Sequence, residues 1–346
     1  MITMSDVAKA ANVSVMTVSR VLNNSGYVKK ETREAIEKAI KELDYRPNLI
    51  AKSLVTGKSK IIAYVLSDIS DQFYGSVCKG VESVCFERGY TALICNAEAT
   101  GSVEKYIDMI ADRKLDGVIF HHLPVSLQQI QWLEEQGIQC ITVDNEFELE
   151  DVSSLDSDDY MGAFRAVEYL RERGYSQIAC ICGEDTCSRN PKSAYLEQYQ
   201  HKIWEKRTLG YLAGLKKEGI DSAGIYYGRG SAEMQTSFES GRNAMEELLK
   251  AEKRADAVYC QSDILALGAA DVLYRRENFI QNKIAIMGHD GLDICRLRYP
   301  HISTVVQPKY EMGIEAAKML LDKIQNSSIG IEHKILKSYI YRGDTC

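Results

Sequence analysis

The stretch Thr3-Met4-Ser5-Asp6-Val7-Ala8-Lys9-Ala10-Ala11-Asn12-Val13-Ser14-Val15-Met16-Thr17-Val18-Ser19-Arg20-Val21-Leu22-Asn23 holds two helix starts and a turn between them. Thr3, followed three residues on by Asp6, is a capping box: the hydroxyl meets backbone amides and the carboxylate reaches back. The helix it opens runs from Ser5 to about Ala11 and buries Val7, Ala8 and Ala11. Asn12 sits where a tight turn wants a left-handed residue, a conformation that Asn tolerates best after Gly. Ser14 caps a second helix, Val15 to about Asn23, with Val18, Val21 and Leu22 facing inward. Its outward face presents Val15, Met16, Thr17, Ser19, Arg20 and Asn23. Two short helices joined by a tight turn are a helix-turn-helix, whose second helix fits the major groove of DNA. A third helix, about Glu31 to Asp44, supplies Ala35, Ile36, Ala39, Ile40 and Leu43 to close the small core. The alternative is a three-helix bundle with no DNA role.

Charge is distributed to match. Residues 1–58 hold ten basic and six acidic side chains, a net of +4, while the whole 346-residue chain carries 42 basic against 49 acidic, a net of -7. A small basic head on a large acidic body suits a polyanion binder attached to something else. Composition is that of an average globular protein, which excludes disordered, collagen-like and disulfide-scaffold classes. No apolar run approaches the roughly eighteen residues needed to span a bilayer. The N-terminus has no charged-then-apolar signal layout. A cytoplasmic protein without membrane association is expected. The ten cysteines contain no Cys-x-x-Cys pair, and Cys180 and Cys182 alternate within an apolar run, so buried strand thiols are expected rather than zinc.

Beyond Lys60 the chain alternates buried-strand and amphipathic-helix signals. Ile61–Leu66 is a continuous apolar strand followed by a helix from Phe73 to about Arg88. Tyr90–Cys95, Gly117–His121 and Gln139–Val143 repeat the strand signal, as do Gln177–Cys182, Gly224–Tyr227, Ala257–Gln261 and Lys283–Met287. Such alternation argues for parallel, doubly wound α/β sheets. Two units of this kind bind a ligand in the crevice between them, at the carboxyl ends of the strands.

Asp6–Ser14, Thr17–Asn23, Glu31-Thr32-Arg33 and Tyr45-Arg46-Pro47-Asn48 together resemble the lac-repressor (LacI/GalR) family of bacterial transcriptional regulators. The resemblance is nearly continuous from Thr3 to Gly57 and extends more loosely through Asp68–Tyr74, Gly117-Val118-Ile119, Val143-Asp144-Asn145, Ser262–Gly268 and Gly288–Gly291. It departs at Asn12, where the family usually has Gly, and at Lys29, where a helix-capping Ser is common. The resemblance implies a small all-α head on a two-lobed body similar to periplasmic sugar-binding proteins. On that basis residues 1–48 form the DNA-binding head and 49–58 a hinge helix. Residues 59–160 with 306–327 form one lobe and 161–305 with 328–346 the other, with chain crossings near 158–162, 304–308 and 326–331.

The resemblance also implies roles. Val15 and Met16 match the family's base-reading pair; being apolar, they suit thymine methyls rather than bidentate bonds. Arg20 is the candidate reader of a guanine edge. Thr17, Ser19, Asn23 and Tyr27 fit phosphate or mixed contacts, which set register more than sequence. Thr3, Ser5 and Ser14 complete the expected DNA-facing set, although Ser5 and Tyr27 fit a solvated face equally well. Asn48 can cap a short helix from Leu49 to Thr56, too short to be stable alone in water. In the family this segment folds on the operator and pairs with its dimer mate. Leu54 matches the leucine wedged into the minor groove and Ala51 lies beside it.

In the body, Arg207 and Asp290 match the family's effector-binding arginine and carboxylate. Phe73, Ser262, Asp263 and Gln307 are further candidates, with Asp263 as a helix cap and Phe73 as core being the bland alternatives. Gly228-Arg229-Gly230 stands where the family often has Gly-Asp-aromatic, and the polar stretch 184–202 is longer than usual. His121 and His122 are adjacent and so point opposite ways, which argues against a metal pair. There is no nucleophile elbow, Walker loop, dinucleotide fingerprint or His-Glu-x-x-His. The expectation is therefore a non-enzymatic, cofactor-free repressor that binds a pseudopalindromic operator as a homodimer. A small-molecule effector, a sugar or sugar derivative, modulates its affinity for a carbohydrate-utilisation operon. The alternatives are a global carbon-catabolite regulator answering to a phosphoprotein, and a sugar-sensing module that binds no operator.

Overall fold

The computed structural model describes residues 2–23, 25–46, 57–97, 103–145, 150–183, 202–227, 237–275, 284–297 and 299–346. The chain divides into two compact units, Met1–Lys60 and Ile61–Cys346.

The first unit contains α1 (Met4–Ala10), α2 (Val15–Leu22) and α3 (Lys30–Glu42). The capping box at Thr3 is formed: its hydroxyl accepts from the Asp6 N–H at 3.3 Å, and the Asp6 carboxylate accepts the Thr3 N–H at 2.9 Å. Asn12 adopts φ 50°, the left-handed conformation the turn requires. Ser14 then accepts from the Thr17 N–H at 3.1 Å and starts α2. Lys29 precedes α3 without any side-chain cap. Val7, Ala8, Val18, Val21, Ile36, Ala39 and Tyr45 form the core, with Ala11, Leu22, Ile40 and Leu43 half-buried around it. Ala35, expected in that core, is exposed. It lies one residue, about 100° of helix turn, ahead of Ile36, beyond the edge of the stripe.

The second unit runs β1 (Ile61–Leu66), α4 (Gln72–Glu87), β2 (Thr91–Asn96), α5 (Glu104–Asp112), β3 (Gly117–His121), α6 (Leu127–Glu135), β4 (Gln139–Val143) and β5 (Ser154–Ser157). It continues with α7 (Asp159–Glu172), β6 (Ile178–Cys182), α8 (Lys202–Glu218), β7 (Ile225–Tyr227), α9 (Phe238–Leu248), β8 (Ala257–Cys260), α10 (Asp263–Arg275) and β9 (Ala285–Asp290). The described chain closes with α11 (Ile294–Leu297), β10 (Ser303–Val306), α12 (Lys309–Gln325), β11 (His333–Leu336) and β12 (Tyr339–Tyr341).

Two six-stranded sheets result, ordered β11-β5-β4-β3-β1-β2 and β12-β10-β9-β8-β6-β7. Every pairing is parallel except β10 with β12. Strands buried on both faces explain the unbroken apolar runs. In the first sheet Tyr64, Ile119 and Ile141 pack against Val77, Val81, Met312 and Leu320, while Val65, Val118 and Phe120 pack on the other face against Ile107, Ile110 and Ile130. Helices α4 and α12 touch backbone to backbone: a Cβ on Gly80 would lie 2.2 Å from the Tyr310 carbonyl oxygen.

The strands expected from sequence are present, but β5, β10, β11 and β12 were not foreseen. One of them moves a boundary. The chain passes between sheets at Asp158, at Gln307–Pro308 and at Lys337–Ser338. The third passage was expected near 326–331, with everything from 328 onward in the second lobe. Instead β11 pairs with β5 of the first sheet, Leu336 opposite Ser157. Helix α12 packs on α4, β3 and β4, so the chain turns back along that same sheet before it leaves. Asp158 ties the first and third passages together: its N–H reaches the Leu336 carbonyl at 3.1 Å, and its Oδ1 accepts the Ser338 N–H at 2.7 Å.

Candidate functional site

In the head, the second helix offers a compact exposed face. Val15 and Met16 are 45% and 66% exposed at its start, and Arg20 and Asn23 are exposed one and two turns on. The Arg20 guanidinium lies 3.9 Å from Met16 Sδ, and its stem passes over Gly26, so the arginine is laid along the helix rather than free in solvent. Hydroxyls at the two helix starts are already engaged. Thr3 Oγ1 donates to the Asp6 carboxylate at 2.7 Å, and Ser14 Oγ lies 2.8 Å from Thr17 Oγ1. The Thr3 hydroxyl and its N–H hold the Asp6 carboxyl below the usual carboxylate range. Ser19 accepts from Asn23 at 3.3 Å, Ser5 is exposed and Tyr27 is 86% exposed. Asn48, Ala51 and Leu54 lie outside the described residues.

In the body, the carboxyl ends of β8, β9 and β10 and the starts of α7 and α8 converge on Arg207. Its Nε–H donates to Asp159 Oδ1 at 2.7 Å and its Nη1 to the Gln261 carbonyl at 2.5 Å, with Asp290 Oδ1 3.1 Å from Nη1. Gln307 donates its amide to Asp290 Oδ1 at 3.2 Å. Lys309 Nζ caps the Asp290 and Gly291 carbonyls at 2.5 and 2.7 Å and stands 5.8 Å over the Phe73 ring. Burial pushes the Asp290 carboxyl up to about 7, with Arg207 pulling the other way, and lifts Asp159 to about 6 on the same balance. One guanidinium serving two buried carboxylates cannot fully offset both desolvations. His289, buried and repelled by Arg207, is held well below its usual range and is neutral, with Nδ1 2.7 Å from the Tyr259 hydroxyl.

The first lobe repeats this motif. Tyr64 OH lies 2.6 Å from His121 Nδ1, and His121 Nε2 lies 3.7 Å from Asp144 Oδ2. Ser157 joins the two halves, with Oγ 2.9 Å from Asp144 Oδ1 and 3.1 Å from Asp159 Oδ2. Burial opposes ionisation of Asp144, but His121 and the two Ser157 donors outweigh it and hold that carboxyl low. A continuous polar network thus crosses from one sheet to the other at the β5–α7 passage.

Arg207, Asp290 and Gln307 are brought together as the sequence suggested. Phe73 is half-buried, edge-on to Tyr74 and His121 at 5.6 and 5.9 Å, so it packs against the first sheet's aromatic cluster with Lys309 over its ring. Ser262 and Asp263 are committed elsewhere. Ser262 Oγ accepts the Leu265 N–H, while Asp263, fully buried, accepts the Leu292 N–H at 2.6 Å and the Thr304 hydroxyl at 2.5 Å. Asp159, Gln261, Lys309 and Trp204 were missed. Trp204 had a signal: it precedes Arg207 by three residues on one helix face, and its ring lies 5.4 Å from the guanidinium. Among the described residues no group of His, Cys, Asp and Glu could hold a metal ion, and no helix is long and apolar enough to cross a membrane.

Comparison with known proteins places these features. Residues 3–48 match the model described as bacterial regulatory proteins, lacI family, and residues 59–340 match periplasmic binding proteins and sugar binding domain of LacI family. The HTH-type transcriptional repressor CytR of Escherichia coli strain K12 is 33% identical over 349 residues, covering 99% of this chain and 96% of that protein. The transcriptional regulator CelR in its cellobiose complex is 28% identical with a TM-score of 0.70, covering 100% of both chains. The lac repressor dimer bound to operator and the anti-inducer ONPF superposes with a TM-score of 0.81 at 21% identity, covering 99% of this chain and 98% of that one.

Proposed function

This chain belongs to the lacI family of bacterial regulatory proteins, and from that premise we propose that it is a cytoplasmic repressor of a carbohydrate-utilisation operon whose operator affinity is set by a sugar-like effector in the interlobe cleft. The chain is a DNA-binding transcriptional regulator with a sugar-binding domain, and it is not an enzyme. It acts as a homodimer, because two recognition helices related by a twofold axis read a pseudopalindromic operator. The observation that carries the reading is the exposed Val15–Met16–Arg20 face on a helix whose opposite side is fixed in the head's core. Arg207, Asp290 and Gln307 hold the effector's hydroxyls. Effector occupancy changes the lobe arrangement and the pairing of the hinge segment that contains Asn48, Ala51 and Leu54, and so shifts operator affinity. The cellobiose complex of a regulator 28% identical to this chain supports a sugar in that position.

Selection of genomic DNA fragments by the purified full-length protein at near-physiological salt tests the proposal. One or two pseudopalindromic sites beside a transport or glycosidase operon are expected. Sites scattered across metabolism would replace the local repressor with a global regulator.

A further inference from the structure

The cleft has a surplus of hydrogen-bond acceptors. Gln261, fully buried, donates its amide to Thr208 Oγ1 at 2.7 Å and to the Trp204 carbonyl at 3.2 Å, leaving Oε1 without a partner among the described residues. Gln307, 2% exposed, gives its amide to Asp290 and leaves its own Oε1 in the same condition. The Asp290 side chain, 15% exposed, receives both Arg207 and Gln307 on Oδ1, so neither of these donors is spent on its second oxygen. Native interiors rarely leave such acceptors unpaired, and a bound ligand's donors are the natural complement.

The donors are largely committed. Arg207 gives Nε to Asp159 and Nη1 to the Gln261 carbonyl and Asp290. Lys309 is turned onto two backbone carbonyls. Around that pair of cations stand Asp159, Asp290 and, behind them, Asp144 and Asp263, all at least four-fifths buried. Only Arg207 Nη2 is left without a partner among the described residues, and an anionic ligand reaching it would lie against the Asp290 carboxylate held 3.1 Å from Nη1, placing like charges side by side in a buried site.

We propose that the cleft takes an uncharged, hydroxyl-rich ligand and rejects phosphorylated or carboxylated ones, and that Asp159 sets this selectivity by cancelling the charge of Arg207. This rests on reading the cleft as the effector site. Asp159 lies at the start of α7 and meets the guanidinium at Nε, whereas Asp290 meets it at Nη1. It acts through Arg207 and is a positioning residue.

The test compares the full-length protein with Asp159→Asn by calorimetric titration. The probes are cellobiose and ribose as neutral sugars, and ribose 5-phosphate, gluconate and inorganic phosphate as anions. Wild type is expected to bind none of the anions at millimolar concentration. Asp159→Asn, checked for intact folding by circular dichroism and for operator binding, is expected to gain phosphate binding at least tenfold tighter than wild type. Asp290→Asn provides the same readout should Asp159→Asn fail to fold. Binding of ribose 5-phosphate, gluconate or phosphate by wild type, abolished in Arg207→Ala, would overturn the inference. So would the absence of any gain in both variants. The anion arms decide this inference even where neither sugar binds; the effector reading itself stands or falls separately, on whether a neutral compound releases the operator through Arg207.

Discussion

Arg207 and Asp159 are joined at 2.7 Å, although they stand 48 residues apart with β6 between them in the chain. The contact fixes the guanidinium from behind, so its remaining edge meets Asp290 in a set orientation. Asp159 is also the last member of the network that reaches Asp144 through Ser157, so the residue that positions the cleft's arginine lies on the passage between lobes. Removing Arg207 leaves two buried carboxylates without their cation. Breaking a buried pair from one side costs about 3–5 kcal/mol when the partner stays charged, and less where the partner can take up a proton. Asp290 and Asp159, lifted to about 7 and about 6, can do so. Arg207→Ala is therefore expected to fold, bind operator normally and lose effector response. Operator binding by gel shift, with and without the releasing sugar, checks it; an Arg207→Ala protein that still responds would remove Arg207 from the site.

The raised Asp290 carboxyl gives a pH dependence whose sign follows from linkage. A carboxylate raised on folding binds its proton more tightly when folded, so its contribution is fully present below about pH 4 and is lost as pH rises through the folded value near 7. The groups that act on it are Arg207, Asp263, Asp71 and Lys309. The difference in thermal midpoint between wild type and Asp290→Asn should fall as pH rises from about 5 to about 8. A ligand hydroxyl that donates to Asp290 favours the ionised form, so effector binding should release protons near neutrality. Calorimetry in buffers of different ionisation enthalpy measures that release directly. Proton uptake on binding would mean that Asp290 accepts nothing from the ligand.

Much of the head was readable because its signals are local. Thr3 with Asp6, Asn12 at φ 50° and Ser14 with Thr17 each complete a motif within three residues. The long apolar strands were readable for the same reason. The strands that escaped notice are three or four residues long, and β11 finds its partner β5 across some 180 residues. The cleft divides along the same line. Arg207 and Asp290 sit in recognisable local patterns, whereas Asp159 gives no sign until Arg207 is folded onto it. Asp263 shows how a distant partner decides between two local readings. The sequence leaves it as either an effector contact or a helix cap, and in the fold its carboxylate accepts the Thr304 hydroxyl, 41 residues on, and the Leu292 N–H.

Arg20→Ala separates reading from holding. Arg20 is exposed on α2 and makes no ion pair among the described residues, so the head's core should not register its loss. A bidentate arginine–guanine contact is worth about 1–3 kcal/mol of discrimination. The variant should bind operator and scrambled DNA with affinities that differ by about tenfold less than in wild type, while keeping most of its salt-dependent nonspecific affinity. Competition gel shifts at fixed salt provide the measurement. Unchanged discrimination would pass the reading role to Val15 and Met16.

Gly80→Ala should damage the first lobe without touching the DNA face. A methyl there would sit 2.2 Å from the Tyr310 carbonyl oxygen and 2.8 Å from the Ile314 amide nitrogen, both backbone atoms. Helices α4 and α12 would have to separate, opening the layer that holds Val77, Val81 and Met312. Overpacking of this kind costs about 1–3 kcal/mol, and more where backbone must move. Urea denaturation followed by circular dichroism should show a lowered midpoint for the body. An unchanged midpoint would mean that the two helices do not approach this closely in solution.

Asn12→Gly is the converse case, a change expected to stabilise. At φ 50° the asparagine holds a left-handed conformation that costs an L-residue about 1–2 kcal/mol, of which Asn's short polar side chain recovers part. Its N–H still reaches the Lys9 carbonyl at 3.2 Å, and the next residue closes the turn with a 2.9 Å bond from Val13 to Ala8. Glycine keeps both bonds and removes the steric cost, but it widens the unfolded ensemble. The net gain should be a few tenths of a kcal/mol to about 1 kcal/mol for the head. Because Asn12 is exposed, its replacement disturbs no core contact. Amide hydrogen exchange across α1 and α2 reads the change locally, with slower exchange at Val13 and Thr17 expected. Faster exchange there would show that the asparagine side chain stabilises the turn by more than its backbone strain costs.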